Sequence, residues 1–196
     1  MGGYDLPTSV GIGGRDYDIR SDFRAVLDVM QVMADAELED EERAAIALSI
    51  FYPEAEEIPQ ADLAEAIDRM VWFVDGGEEP EEKPARKQGR KPRVMDWEQD
   101  FPLIIAPVNR VLGYEARSIP YDYEANEGGL HWWTFLAAYY EIGDCLFAQV
   151  VGIRKKRIAG KKLDKSDEQF YRDNRRLVDL RRKETAAEHE LIRDWI

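Results

Sequence analysis

Residues 9–34 read SVGIGGRDYDIRSDFRAVLDVMQVMA. Val10 and Ile12 before Gly13-Gly14, and Tyr17 and Ile19 after it, recur with period two. Paired glycines tolerate the positive φ angles of a two-residue primed turn, so the stretch is expected to be a β-hairpin, Ser9–Ile12 against Arg15–Ile19. From Ser21, the expected N-cap, the spacing changes. Phe23, Val26, Leu27, Met30 and Met33 or Ala34 now recur at three and four residues, the apolar stripe of a helix. An isolated hairpin is marginal in water and must lie on helices or pair at an edge. That edge, near Val10 and Ile12, is a candidate docking strip for a partner.

Working outward, a second helix is expected over Asp40–Tyr52. Asp40, Glu41 and Glu42 place negative charge at the positive end of its dipole, Ala44, Ile46, Ala47, Ile50 and Phe51 form its buried side, and Pro53 stops it. Pro59 suits the first turn of a third helix with Leu63, Ile67, Met70 or Val71, and Val74 inward, and Gly76-Gly77 is its C-cap. Residues 77–93, GEEPEEKPARKQGRKPR, have no apolar side chain larger than Ala85. Such a segment buries too little apolar surface to offset chain ordering, so it is expected to be a flexible charged connector.

The second half opens with MDWEQDFPLIIAPVNRVLG (95–113). Asp96 followed by Gln99 resembles a capping box, and Pro102 and Pro107 are expected to break or kink this stretch into a short turn and a bent helix ending near Gly113. Residues 113–129 are expected to be irregular. Residues 130–143, LHWWTFLAAYYEIG, are apolar or aromatic on nearly every side, so Trp132, Trp133 and Tyr140 sit in a helix central to the second core or buried against a partner. Asp144 is expected to cap a further helix with Cys145, Leu146, Phe147, Val150, Val151 and Ile153 inward and Arg154–Arg157 at its basic end. Two last helices are expected from near Asp164 and Thr185. The expected architecture is a mainly α protein with an N-terminal β-hairpin: a hairpin and three-helix lobe over 1–76, a flexible charged linker over 77–95, and a helical lobe over 96–196.

Charge and composition exclude several classes. The 196 residues carry 27 Lys+Arg and 40 Asp+Glu, net −13. Residues 1–76 hold 18 acidic and 5 basic side chains, residues 154–196 hold 9 and 14. An acidic front repels a phosphate backbone, so nucleic acid is not the favoured partner, and the basic C-terminal region is the one place where it could bind. No run of apolar residues is long enough for a transmembrane helix, and the first residues lack the features of a secretory signal or myristoylation site, so the expected compartment is the cytosol. Cys145 alone makes neither an internal disulfide nor a thiolate zinc cluster.

Chemistry is sparse. His131 and His189 stand far apart outside any metal-ligand spacing, and His131 beside two tryptophans reads as a packed aromatic. GIGG at 11–14 completes no phosphate-binding fingerprint. Cys145 reads as a small core residue. No catalytic residue, cofactor site or metal site is expected.

The opening LPTSVGIGGRDYDIRSDFRAVLDVM, the segment IFYPEAEEIP, the stretch MDWEQDFPLIIAPVNRVLGYE and the block from HWWTFLAAYYEIGDC through VVGIRKKRIAGKKLDKSDEQFYRDNR together resemble the bacteriophage gene-product-fifteen family of Gram-positive phages and prophages. The resemblance covers the chain apart from the connector, with a mild departure at Glu39, where Ser or Thr is the more usual cap. It implies a gene in the tail module just before the tape-measure gene, beside a smaller partner. By analogy with other long-tailed phages, it implies a non-enzymatic tail assembly chaperone. Such a protein holds the tape-measure protein soluble in the host cytoplasm and is absent from the finished particle. Val10, Ile12, Trp132, Trp133 and Tyr140 are the candidate contact residues, in a helix-in-groove mode, and self-association is also open. The alternatives are a structural tail component of the virion, or a nucleic-acid-binding factor using the basic region Arg154–Lys183.

Overall fold

A computed structural model describes residues 5–78 and 92–181. Its elements are β1 (Ser9–Ile12), β2 (Arg15–Asp18), α1 (Phe23–Met33), α2 (Asp40–Phe51), α3 (Leu63–Val74), α4 (Trp97–Leu112), β3 (Tyr121–Asp122), β4 (Glu127–Gly128), α5 (Trp132–Tyr140), α6 (Leu146–Ile158), α7 (Lys165–Asp173) and α8 (Arg175–Val178). Short 3-10 turns lie at Ala55–Glu57, Gln60–Asp62 and Ala116–Ser118. The class is the expected one, mainly α with an N-terminal hairpin. The helix expected from Thr185, His189 and most of the expected connector lie outside the described residues.

In the hairpin, Val10 faces Tyr17 and Ile12 faces Arg15 in antiparallel register. Gly13 and Gly14 turn the chain at φ 57° and 83°, the sign a primed turn requires. Val10, Ile12, Tyr17 and Ile19 point inward and are buried. The tip is held by α3, where Glu65 accepts the Gly13 N–H at 3.0 Å.

The cap of α1 is Asp22 and not Ser21. The Asp22 carboxylate accepts the Arg24 N–H at 2.9 Å, while the Ser21 carbonyl accepts the Trp132 N–H at 2.7 Å. α2 begins at Asp40 as expected, and its far end is fixed by the buried Tyr52 hydroxyl donating to the Ala66 carbonyl of α3 at 2.9 Å. α3 stops as its glycines suggest: Gly76 N–H donates to Phe73 O and Gly77 N–H to Trp72 O, the paired bonds of a Schellman ending.

α4 corrects an expectation. Pro102 and Pro107 both lie inside one helix of 16 residues. Each proline lacks an N–H, which leaves the carbonyls four residues earlier, Glu98 and Leu103, without that partner. The helix continues because Ile104, Ile105 and Val108 bury one face of it, and tertiary burial outweighs local propensity. Its start matches the expected cap, with Asp96 accepting the Gln99 N–H at 2.8 Å. The reciprocal bond, however, comes from Asp100, which accepts the Asp96 N–H at 2.9 Å. The segment expected to be irregular contains the small β3–β4 hairpin. α6 is capped by Cys145 without a side-chain bond, not by Asp144, and the helix expected from Asp164 breaks at Asn174 into α7 and α8.

The chain divides otherwise than at residues 77–95. One compact unit comprises Met1–Pro84 with Val108–Glu141, the other Ala85–Pro107 with Ile142–Ile196. The reason is that α5 completes the N-terminal elements. Phe23 N–H donates to Leu130 O at 3.0 Å, and Leu130 N–H to the Asp22 carboxylate at 2.7 Å. In the first unit α1 packs on α2 and the aromatic core joins Phe23, Phe51, Phe73 and Phe135. In the second, Val150, Ile153 and Val178 form a core covered by Leu103, Leu163, Phe170 and Leu177.

Candidate functional site

The aromatic helix α5 builds the centre of the first unit. His131 caps it: its Nδ1 accepts the Trp133 N–H at 3.1 Å while Nε2 lies 2.9 Å from Pro7 O. That pair of contacts requires the proton on Nε2, a neutral ring, and burial holds the imidazole below its ordinary value. Trp132 Nε1–H donates to Val74 O at 2.8 Å and Trp133 Nε1–H to Phe73 O at 2.9 Å. The last turn of a helix leaves carbonyls short of helical partners: one indole serves Val74 O, and the other adds a second donor to Phe73 O, which already accepts the Gly76 N–H. The tryptophan pair is thus a joint between α3 and α5.

Around Asp22 the packing leaves no room for a side chain at Gly129. Its φ is 83° and a Cβ there would collide with the Asp22 carboxylate. Burial raises the Asp22 pKa, opposed by its bonds from Arg24 and Leu130.

Among the candidate contact residues, therefore, Val10, Ile12 and Trp132 are core side chains, with Ile12 and Trp132 each 1% exposed. Trp133 is half-buried against Trp72 and Phe73. Only Tyr140, 70% exposed at the end of α5, stands open to a partner. Alternation and helical spacing mark these side chains as lying on apolar faces but do not say whether such a face meets the protein's own core or a partner.

In the second unit the decisive side chain is Arg154, which the sequence groups with the basic end of α6 and which is in fact 4% exposed. Its guanidinium grips Asp100, itself fully buried, through Nη1–Oδ2 at 2.6 Å and Nη2–Oδ1 at 2.9 Å. Its remaining N–H groups donate to the carbonyls of Val178 (2.6 Å), Leu177 (2.7 Å) and Val94 (3.2 Å). Five donors meet five acceptors, the full capacity of an arginine. A signal for this was present: Arg154 follows Phe147 and Val150, and Asp100 precedes Ile104 and Val108, at helical spacing, so both charges lie on buried stripes.

Above this pair opens a groove of about 570 Å³ lined by Arg93, Arg157, Tyr171, Arg175 and Asp179. Arg157 pairs with Asp179 at 2.5 Å and lies over the Tyr171 ring at 4.1 Å, with Arg175 over the same ring at 5.5 Å. The Tyr171 hydroxyl donates to Asp179 at 3.1 Å. Arg93 bonds Asp96 at 3.0 Å and reaches Arg181 O at 3.5 Å. Arginine forks of this kind suit carboxylate or phosphate. Among the described residues no three His, Cys, Asp or Glu side chains are grouped so as to hold a metal ion, and no helix is long and apolar enough to cross a membrane.

Fold and site together define a mainly helical protein of two units, an N-terminal hairpin on one and an arginine-lined groove on the other. The family model described as Bacteriophage Gp15 protein matches residues 4–180, and the chain belongs to that family, a phage-related one. No curated protein and no solved structure matches it significantly.

Proposed function

We propose that this chain is a non-enzymatic tail assembly chaperone that keeps the tape-measure protein of its phage soluble while the tail tube forms, working in the host cytoplasm with a smaller partner and leaving before the particle is complete. Membership of the family and the tail-module role that the family implies support the reading. The observation that carries it is the surface of the first unit. Its 27 acidic side chains against 8 basic ones keep it in solution, and on it stand large apolar side chains, Tyr140, Val71 and Met33 among them. A long apolar client needs apolar contact on a body that charge keeps dispersed. Because Val10, Ile12 and Trp132 are enclosed, contact is assigned to Tyr140 and its exposed neighbours in type.

Co-expression with the tape-measure protein of the same phage tests this. The client should be soluble and co-purify only when this chain is present, and Tyr140→Asp should lower the yield of the complex. A client soluble by itself removes the role. Stoichiometric recovery of this chain from purified virions, read by mass spectrometry, makes it a structural tail component instead.

A further inference from the structure

The two units differ in sign. The first carries a net −19 and the second 19 basic against 13 acidic side chains, net +6. Within the second unit Arg93, Arg157 and Arg175 surround Tyr171 at the groove, Arg93 paired with Asp96 and Arg157 with Asp179, so that arginines outnumber the carboxylates there. Arg93 touches Arg181. The first unit presents the opposite feature. Glu37, Glu39, Asp40, Glu41 and Glu42 are all exposed at the start of α2, and the Asp40 side chain is 96% exposed although it pairs with Arg43.

We propose that the arginine-lined groove binds the acidic ridge Glu37–Glu42 of a second copy of this chain, giving head-to-tail association. Like units repel, so two copies are drawn together with unlike units facing, and groove on ridge is such an arrangement. Arginine forks recognise carboxylates bidentately, and the ridge displays Asp40, Glu41 and Glu42 on the first turn of α2, with Glu37 and Glu39 just before it. A phosphate backbone meets the same groove but must approach a chain whose other unit is strongly acidic, and it is the less favoured occupant. A contact of unlike surfaces is heterologous and propagates into rings or filaments. The proposal goes beyond the chaperone reading and needs no client.

Sedimentation velocity of the full chain over a concentration series tests it. At 0.01 M salt the screening length is ~30 Å, at 1 M ~3 Å. Concentration-dependent association is expected in the first condition and its loss in the second. R93E/R175E and E39K/E41K should each be monomeric at low salt, whereas their equimolar mixture should associate, because the intact groove meets the intact ridge and the reversed groove meets the reversed ridge. Should R93E/R175E fail to fold, R93Q/R175Q replaces it, with association expected to weaken about tenfold. A wild-type chain that stays monomeric at low salt overturns the proposal, whether its charges pair within one chain or a labelled nucleic-acid duplex occupies the groove instead. So does unchanged association of any variant, or a monomeric mixture of two variants that keep wild-type circular dichroism.

Discussion

Arg154 has as many acceptors as N–H groups, and that equality governs what its replacement does. Lysine offers three donors from a single point and cannot span Asp100 and three carbonyls together, so Arg154→Lys should destabilise the second unit by about 2–4 kcal/mol in urea unfolding. Removing a buried ion pair whole is often nearly neutral. Here R154M/D100L also strips the donor from Val94, Leu177 and Val178 O, so a cost of about 3 kcal/mol or more is expected, and a neutral double variant would show those carbonyls to be met by water. His131 gives a pH dependence of definite sign. Burial holds its folded-state pKa below the ordinary 6.5, so the unfolded chain takes up the proton first as pH falls. Stability from this group is complete above 6.5 and declines downward through the lower folded value. His131→Asn keeps an acceptor for the Trp133 N–H and cannot titrate. Its thermal midpoint, compared with wild type between roughly pH 6.5 and 5, should lack that decline.

In α4 the exposed Pro102 removes one helical hydrogen bond with no packing in return, whereas Pro107 is buried. Pro102→Ala should raise stability by about 1–3 kcal/mol, seen as a higher thermal midpoint, and a fall would mean that the proline sets the course of the helix. Elements whose causes are local were legible in the order of residues. The Gly13-Gly14 turn, the acidic start of α2, the Gly76 ending of α3 and the Asp164 cap of α7 each depend on neighbours a few positions away. Those with distant causes were not. Asp22 displaces Ser21 as a cap because Leu130, 108 residues on, also needs its carboxylate. Arg154 turns inward because Asp100 lies 54 residues back. The packing of Trp132 and Trp133 was hidden for a related reason: an apolar helix can face a partner or its own core, and Val74 and Phe73, which decide the matter for these two, belong to another helix.

The first unit is assembled from two stretches, Met1–Pro84 and Val108–Glu141, with part of the second unit encoded between them. A fragment comprising residues 1–78 lacks the indole donors for α3 and the packing of Phe135 on Phe23, which are stacked at 4.7 Å in the whole chain. It should show no cooperative thermal transition by circular dichroism, and a sharp one would mean that the hairpin and three helices suffice. The same interruption sets an order of events during synthesis. At ~5–20 residues per second, the ribosome adds the 63 residues from position 79 to the end of that unit in roughly 3–13 s. Through that interval Phe23 and Phe73 have been made while Phe135 and Trp133, on which they stack, have not, so the nascent chain waits, partly unsheltered, for a helix still to be translated.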